Sequence, residues 1–234
     1  VVILVIAVCS ALAFSVIQAK SYTESTFYRS VPLMLEASSS DLQTNLAVGL
    51  ALSQDLAEDT RLLDWFNNYE KDNETGSKVV EDLITLSKDE RFAASFAASK
   101  LTGNYYVVDS NQQLKKTTMN ETDDAWFFTM MKSPQTLFYS VDYNKTLNDT
   151  NFWVDVKMFN AAGEAIGFAG MAVNLKKTIA KMNKSLPSPQ TWIGVIDSNG
   201  TVSLCSNADF INKKLGNVVG TLSDLTGYSG LQYY

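Results

Sequence analysis

Two aspartates that lie among aromatic residues are the side chains of this sequence best suited to recognise a ligand. Asp142 and Asp155 both fall between residues 123 and 175, in runs that also contain Trp, Phe and Tyr. A carboxylate beside an aromatic ring can hold a small cation, because the carboxylate supplies negative charge and the ring supplies a negative face. This stretch therefore favours the binding of an amine or another small cation.

Composition excludes several other kinds of chemistry. The 234-residue chain has a formal charge of −6 and contains no histidine. It lacks the clustered Lys and Arg of a nucleic-acid surface, and without histidine it can build neither an imidazole zinc site nor a Ser/His/Asp nucleophile. The aspartates do not form the closely spaced acidic loop that calcium needs. We expect no enzyme, no cofactor or metal, and no nucleic-acid partner.

Residues 1–17 form an uncharged apolar run. Because a helix needs about 20 such residues to cross a bilayer, we predict a partial transmembrane helix over residues 1–19. The apolar core of a signal peptide, typically ~7–15 residues long, is the alternative. Either interpretation places the rest of the chain outside the cytoplasm, as a periplasmic or extracellular region at the cell membrane. The chain starts with Val1 and stops in a strand-like run, so we expect it to be part of a longer protein.

Apolar residues spaced three or four apart predict a long helix from residue 21 to about residue 70. The Ser-rich segment 38–41 is an alternative starting point for a second helix, since Ser and Asp are good helix caps. The apolar residues 62–66 are expected to pack against the following domain, with a dimer interface as the alternative. Residues 73–77 are predicted to form a turn, and residues 79–87 a further helix.

The second half of the chain changes to a strand-like pattern. Residues 104–116 are typical of a β-hairpin, because aromatic and β-branched residues precede an Asp-Ser-Asn turn. Residues 126–131 follow two aspartates and predict a short helix. Three strands are then predicted at 136–143, 152–159 and 165–175, joined by segments that suit tight antiparallel turns. The order indicates an α+β fold, with a meander beside a long helix.

Several short motifs occur in the same order as in a known sensor family. They are Trp126-Phe127, the Asp-Tyr-Asn that begins at Asp142, and G-x-x-x-G-F-A-G from Gly163 to Gly170. Behind an apolar N-terminal segment, this order resembles the extracytoplasmic double-Cache domain of bacterial methyl-accepting chemotaxis receptors. The resemblance implies a long N-terminal helix packed on PAS-like antiparallel sheets in tandem lobes. Residues 20–182 would form the helix and the membrane-distal lobe, and residues 183–234 an incomplete membrane-proximal lobe.

The chain departs from the amino-acid sensors of that family at the positions that bind the ligand. Those sensors are expected to carry an Arg two residues before the tryptophan, a Tyr-x-Asp on the next strand, and an Asp after the last glycines. Here the corresponding residues are Asp124, Ser140 and Ala172. Without the guanidinium, a ligand carboxylate loses its bidentate partner. The departures argue against an amino-acid ligand.

Strand alternation assigns the remaining side chains to faces of the predicted sheet. If Asp142 points inward, as the resemblance implies, Phe138 and Ser140 share its face. On the next strand, Asp155 shares a face with Trp153 and Lys157. An interaction of Asp155 with Lys157 or with a turn amide is the alternative to a ligand-binding role for this aspartate.

On the last strand, Phe168 shares a face with Ile166, Gly170 and Ala172, where the small residues are predicted to leave room for a ligand. Trp126 and Phe127 belong to the short helix, and core packing is the alternative to a ligand role for both. The predicted ligand-binding residues are Trp126, Phe127, Phe138, Ser140, Asp142, Trp153, Asp155 and Phe168.

The resemblance implies that the protein senses a small molecule as part of a membrane-anchored chemoreceptor. Ligand binding would displace a helix and pass the signal to a cytoplasmic region, in a receptor that works as a homodimer. Two alternatives remain. One is the sensor of a transmembrane histidine kinase or nucleotide cyclase, and the other is a secreted binding or adhesion protein.

Overall fold

The computed structural model describes residues 40–147, 149–174, 194–196, 200–205 and 207–219, and the single residues 177, 180, 181 and 184. Across these residues, no helix is both long enough and apolar enough to span a membrane. The predicted transmembrane segment, residues 1–19, lies outside the described residues, as does the first part of the predicted long helix.

Residues 177, 180, 181 and 184 are α-helical, Ala208–Phe210 form a 3₁₀ helix, and five further α-helices occur in the described residues. They are α1 (residues 40–57), α2 (Thr60–Asn67), α3 (Asn73–Ser87), α4 (Ala125–Lys132) and α5 (Leu215–Val219). The short helix predicted at 126–131 is confirmed as α4, and the helix predicted at 79–87 is confirmed as the larger part of α3.

The prediction of one helix continuing to residue 70 is wrong, because the chain breaks between α1 and α2. Asp59 has an extended backbone there, and its carboxylate accepts hydrogen bonds from the amides of Arg61 and Leu62, at 2.8 and 3.0 Å. An aspartate that caps a helix in this way starts a new helix instead of continuing the old one.

The turn predicted at 73–77 is also wrong, because α3 already begins at Asn73. Asp72 caps this helix through the amides of Glu74 and Thr75, at 3.0 and 3.3 Å. In both regions an aspartate that caps the helix fixes where the helix starts. The first prediction relied on the spacing of apolar residues and the second on the turn preference of Asn and Gly, and neither considered the capping aspartate.

Six strands form one antiparallel sheet in the order β3-β2-β1-β6-β5-β4. They are β1 (Phe92–Ser99), β2 (Asn104–Asp109), β3 (Leu114–Thr118), β4 (Leu137–Asn144), β5 (Asp149–Phe159) and β6 (Ala165–Val173). The α+β class, the β2–β3 hairpin and the β4–β5–β6 meander are confirmed. A separate two-stranded sheet pairs β7 (Gly194–Ile196) with β8 (Val202–Cys205). The domain boundary at 182/183 stays a prediction.

The central strand β1 was not predicted. Its sequence FAASFAAS contains no β-branched residue, and Phe92 and Phe96 are four residues apart, as on a helix. Seven of its eight residues are nevertheless buried, because it pairs with both β2 and β6. Small side chains suit a strand that is covered on both faces.

Helices α1, α2 and α3 cover one face of the sheet. Leu62, Trp65 and Phe66 of α2 are buried in a cluster with Leu83 of α3 and Tyr106 of β2. The prediction that residues 62–66 pack against the following domain is therefore confirmed. Helix α4 packs on the opposite face of the sheet.

Gly76→Ala is expected to destabilise the chain, although alanine usually favours a helix by about 1 kcal/mol over glycine. A Cβ atom at position 76 would lie 2.7 Å from the Cζ2 atom of Trp65, and such overpacking of a core typically costs ~1–3 kcal/mol. The variant should unfold at a lower urea concentration. Gly216→Ala in α5 is the control, since a Cβ there meets no described atom within 4 Å. Equal midpoints for Gly76→Ala and the unchanged chain would contradict the packing argument.

Candidate functional site

A cavity of about 80 Å³ lies between α4 and the face of the sheet opposite α2 and α3. For comparison, pockets for drug-sized ligands occupy roughly 300–1,000 Å³, and a single water needs about 10–15 Å³. The cavity therefore fits a ligand of a few heavy atoms. It is lined by Phe96, Tyr105, Trp126, Met130, Ser140, Asp142, Asn144, Trp153 and Asp155.

Five of the eight predicted site residues line this cavity. Strands β4 and β5 bring Ser140 and Trp153 directly opposite each other in register, and Asp142 and Asp155 lie on the same strands. The Nε1–H of Trp153 donates a hydrogen bond to the backbone carbonyl of Asp142, at 3.3 Å. Trp126 reaches the cavity from α4.

The other three predicted residues, Phe127, Phe138 and Phe168, pack around the cavity without lining it. The rings of Phe127 and Phe138 each lie edge-on to Phe168, with centroid distances of 5.7 and 5.8 Å. Phe127 and Phe168 are fully buried. Phe138 and Phe168 form an apolar layer beneath α4, and Phe127 is the α4 side chain that packs against Phe168, in agreement with the core-packing alternative for Phe127.

Four lining residues were missed by the sequence analysis. Phe96 belongs to the unpredicted strand β1, and Met130 lies one helical turn after Trp126 on α4. Tyr105 lies on the predicted hairpin, and strand alternation within that hairpin does not show that its side chain faces the same cavity as the meander residues. Its hydroxyl accepts a hydrogen bond from the side-chain amide of Asn144, at 3.0 Å, so β2 and the end of β4 are joined at the cavity wall.

Two predictions about β6 are corrected by the structure. The β5–β6 register shifts between Met158 and Phe159, so that Met158 pairs with Gly167 and Phe159 with Ala165. This irregularity leaves Ile166 as an extra residue, and it is buried in the helix-side cluster instead of sharing a face with Phe168.

Gly170 does not leave open space for a ligand. A Cβ atom at this position would lie 2.7 Å from the Phe96 ring and 2.2 Å from the carbonyl oxygen of Val154. The Phe96 ring therefore occupies the space that a side chain at position 170 would need, and this ring forms part of the cavity wall.

Asp155 is the most unusual group of the site. Its side chain is buried, with 3% of the residue exposed, and no described residue donates a hydrogen bond to it or forms an ion pair with it. Burial, reinforced by the nearby charge of Asp142, raises the pKa of Asp155 to about 8. The carboxyl group is thus held close to the balance between its neutral and charged forms at physiological pH.

Lys157 does not neutralise Asp155, although both lie on the same face of β5. Its ammonium group donates to the backbone carbonyl of Ser133, at 2.6 Å. It also lies 5.9 and 5.8 Å from the ring centroids of Phe138 and Phe168. Burial lowers the pKa of Lys157. Because Ser133 is the C-cap of α4, the positive charge stabilises the carboxyl end of that helix over the cavity.

The arrangement of charges suits a positively charged ligand. Two carboxylates line an aromatic cavity, and no Lys or Arg appears among the lining residues that the structure describes. A cation would pair with ionised Asp155 and contact ring faces, whereas an anion would be repelled by Asp142 and, once its proton is lost, by Asp155.

Sensor domains of known structure share this architecture. The ligand-binding domain of the Pseudomonas aeruginosa PAO1 amino acid chemoreceptor PctC, in complex with GABA, superimposes with a TM-score of 0.61 at 14% identity, over 84% of this chain and 83% of that one. The chain has the fold of a Cache-type sensor domain. No protein-family profile matches the sequence, and at such low identity the similarity concerns the fold.

Two further Cache-type neighbours show how widely the fold is used. The sensory domain of the Campylobacter jejuni chemoreceptor Tlp3 with isoleucine bound has a TM-score of 0.58 at 12% identity, covering 89% of this chain and 80% of that chain. The sensor domain of the Vibrio cholerae histidine kinase DctB has the same TM-score and identity, covering 81% and 70%. The predicted resemblance to the Cache fold is therefore confirmed.

Asp155→Asn is expected to stabilise the chain at alkaline pH. The folded state raises the pKa of Asp155 from 3.8 to about 8, so between these values it keeps a proton that the unfolded state has released. The free energy of unfolding therefore falls as pH rises through this window, by about 1.4 kcal/mol for each pH unit. The amide has no such pH dependence.

Thermal unfolding at about pH 5 and about pH 9 measures this effect. The melting temperature of Asp155→Asn should exceed that of the unchanged chain by roughly 5 °C or more at the higher pH, and the excess should be clearly smaller at the lower pH, because only the first part of the window between 3.8 and about 8 has been crossed there. Asp55→Asn, at an exposed position of α1, is the control and should show neither effect. A difference that does not depend on pH would contradict the assigned protonation of Asp155.

Lys157→Met is expected to loosen α4 while preserving the apolar stem of the side chain. Loss of the charged hydrogen bond to Ser133 costs about 1.5–3 kcal/mol, so hydrogen exchange of the α4 amides should become about tenfold faster or more. Lys132→Met, at an exposed position of the same helix, is the control. Unchanged exchange over residues 125–132 in Lys157→Met would show that this ammonium group does not hold α4 in place.

Proposed function

We propose that this chain is the extracytoplasmic sensing region of a membrane-anchored chemoreceptor, and that its cavity binds a small organic cation such as an amine. The observation that carries the proposal is the carboxyl group of Asp155, which is buried in an aromatic cavity without a partner among the described residues. The fold shared with chemoreceptor sensor domains supports the receptor class.

The energetic argument for a cation rests on the cost of ionising Asp155. An isolated buried carboxylate is unfavourable, and its pKa rises in response. A bound ammonium group would remove this penalty and add contacts with the faces of Trp126 and Trp153. Ligand binding would therefore be linked to release of a proton from Asp155.

The same cavity disfavours a free amino acid. Two of the neighbours named above, the PctC and Tlp3 domains, were solved with GABA and with isoleucine, both of which carry a carboxylate. Here Asp124 stands at the position where amino-acid sensors of the family are expected to carry Arg. The carboxylate of a ligand would be repelled by Asp142 and, at a pH where it is ionised, by Asp155. We therefore propose an amine without a carboxylate as the preferred ligand.

Signalling requires that the ligand bind one arrangement of the receptor better than another. We propose that the helix preceding the sheet moves and passes this preference through a membrane anchor at residues 1–19 to a cytoplasmic region, in a homodimer. The eight predicted ligand-binding residues divide into the five that line the cavity and the three that support it.

The sensor of a transmembrane histidine kinase is a second candidate, because the DctB sensor domain has a comparable TM-score. A nucleotide cyclase receptor would use the same kind of sensor. The two classes differ in the output region of the full-length protein: a long helical hairpin indicates a chemoreceptor, whereas a catalytic domain indicates a kinase or cyclase.

A thermal-shift screen at about pH 8.5 tests the ligand class. Ethylamine, putrescine and tetramethylammonium are the cationic probes, and acetate, GABA and L-serine are the probes that carry a carboxylate. A ligand at about 100 times its dissociation constant stabilises by about 2.7 kcal/mol, which corresponds to roughly 5 °C or more. At least one cation should reach this shift.

Asp155→Asn should abolish the shift produced by the cation, because the amide cannot supply the charge. Asp55→Asn should leave it unchanged. Stabilisation by L-serine or acetate with no response to any cation would contradict the proposed ligand class. A cation shift that survives in Asp155→Asn would place the binding site elsewhere.

A further inference from the structure

Ser53 connects helix α1 to the strand that carries Asp155. The residue is completely buried, and its hydroxyl oxygen lies 2.7 Å from the carbonyl oxygen of Gly49 and 3.1 Å from that of Val154. The first acceptor belongs to α1 and the second to β5. Because a hydroxyl group has a single proton, it can donate to only one of these carbonyls at a time.

The Val154 carbonyl belongs to the same peptide unit as the amide nitrogen of Asp155. Peptide units are planar and rigid, so a rotation of this unit moves the carbonyl oxygen and the Asp155 backbone together. The side chains of the two residues point to opposite faces of the sheet. Val154 faces α1 and Asp155 faces the cavity.

Close packing makes α1 sensitive to small movements of the sheet. A Cβ atom at Gly49 would lie 3.3 Å from the Phe92 ring and 3.7 Å from the Cγ2 atom of Val154. One helical turn later, Ser53 makes its contact with β5. The small residues at 49 and 53 thus let the helix backbone approach the strands, and Leu46 and Leu52 of the same helix pack against the buried cluster that contains Phe92.

We infer that the Ser53 hydroxyl couples the cavity to α1 by moving its single hydrogen bond between the Val154 carbonyl and the Gly49 carbonyl. In the first arrangement the helix is bound to the strand that carries Asp155, and in the second the hydroxyl is bonded only within its own helix. A charge or ligand at Asp155 biases these arrangements through the shared peptide unit. The inference rests on the proposal that the cavity is the sensing site.

The proton itself serves as the probe, so that the test does not depend on any amine. Backbone amide spectra of the full 234-residue chain in detergent micelles are recorded by NMR between about pH 6 and about pH 9.5, where Asp155 changes charge. Other charged groups near the cavity are Asp142 on β4, Lys157 on β5 and Asp124 at the start of α4. Asp155→Asn separates their contribution from that of Asp155.

In the unchanged chain, the amides of residues 49–54 and the Trp153 indole are expected to shift together, with a midpoint at about 8. Both responses should disappear in Asp155→Asn. In Ser53→Ala the Trp153 indole should still respond, and the response of residues 49–54 should be lost.

Ser95→Ala is the matched control. Ser95 is also completely buried and also joins a strand to a helix, since its hydroxyl donates to the carbonyl of Leu83 in α3, at 2.7 Å. This variant should retain the α1 response. The inference is overturned if residues 49–54 respond normally in Ser53→Ala, or if they do not respond in the unchanged chain. Failure of the amine screen with a normal Ser53 result would instead reject the ligand class alone.

Discussion

The uncompensated burial of the Asp155 carboxyl group is the constraint on which the cavity depends. A charged group in an apolar site is costly unless a partner satisfies it, and the aromatic layer around Asp155 supplies none. The nearest candidate on the same strand, Lys157, is committed to the carbonyl of Ser133. Asp155 and Lys157 thus lie two residues apart on one face of β5 without forming an ion pair, and burial raises the pKa of Asp155 to about 8. Lys157 therefore stabilises the end of α4, whereas the carboxyl group of Asp155 faces the cavity.

The rest of the structure can be understood from the two faces of β5. On one face, Trp153 and Asp155 meet α4, whose carboxyl end is stabilised by Lys157. On the other face, Val154 contacts α1 through Ser53. A single strand therefore joins the cavity to the helix that leads toward the N-terminus. Because successive strand residues alternate between faces, these two contacts are separated by one peptide unit.

Strand alternation predicted most of the cavity contribution of β4 and β5, because both strands are regular over the residues concerned. Asn144 was missed, since the predicted strand ended at residue 143 whereas β4 continues to Asn144. Alternation placed Ser140, Asp142, Trp153 and Asp155 on one face, as the structure does. Prediction was wrong where a local feature overrides periodicity: at Ile166, a register shift changes the face. The strand containing Phe96 lacked β-branched residues, so neither the strand nor its cavity residue was found. The partner of Lys157 could not be predicted, since sharing a face does not fix where a long side chain ends.

A shared fold is compatible with the different ligand class proposed for this chain, because fold and ligand preference depend on different residues. The sheet order and the packing of α1 to α3 are set by apolar and small side chains, which many sequences can supply, as the 12–14% identities of the structural neighbours illustrate. Ligand preference depends on a few polar groups in the cavity. In the proposed binding site Asp155 supplies charge facing the ligand, whereas the Val154 carbonyl that Ser53 contacts is a backbone group. Substitutions of cavity side chains that change the ligand class would therefore leave the hydrogen bond between Ser53 of α1 and the Val154 carbonyl in place.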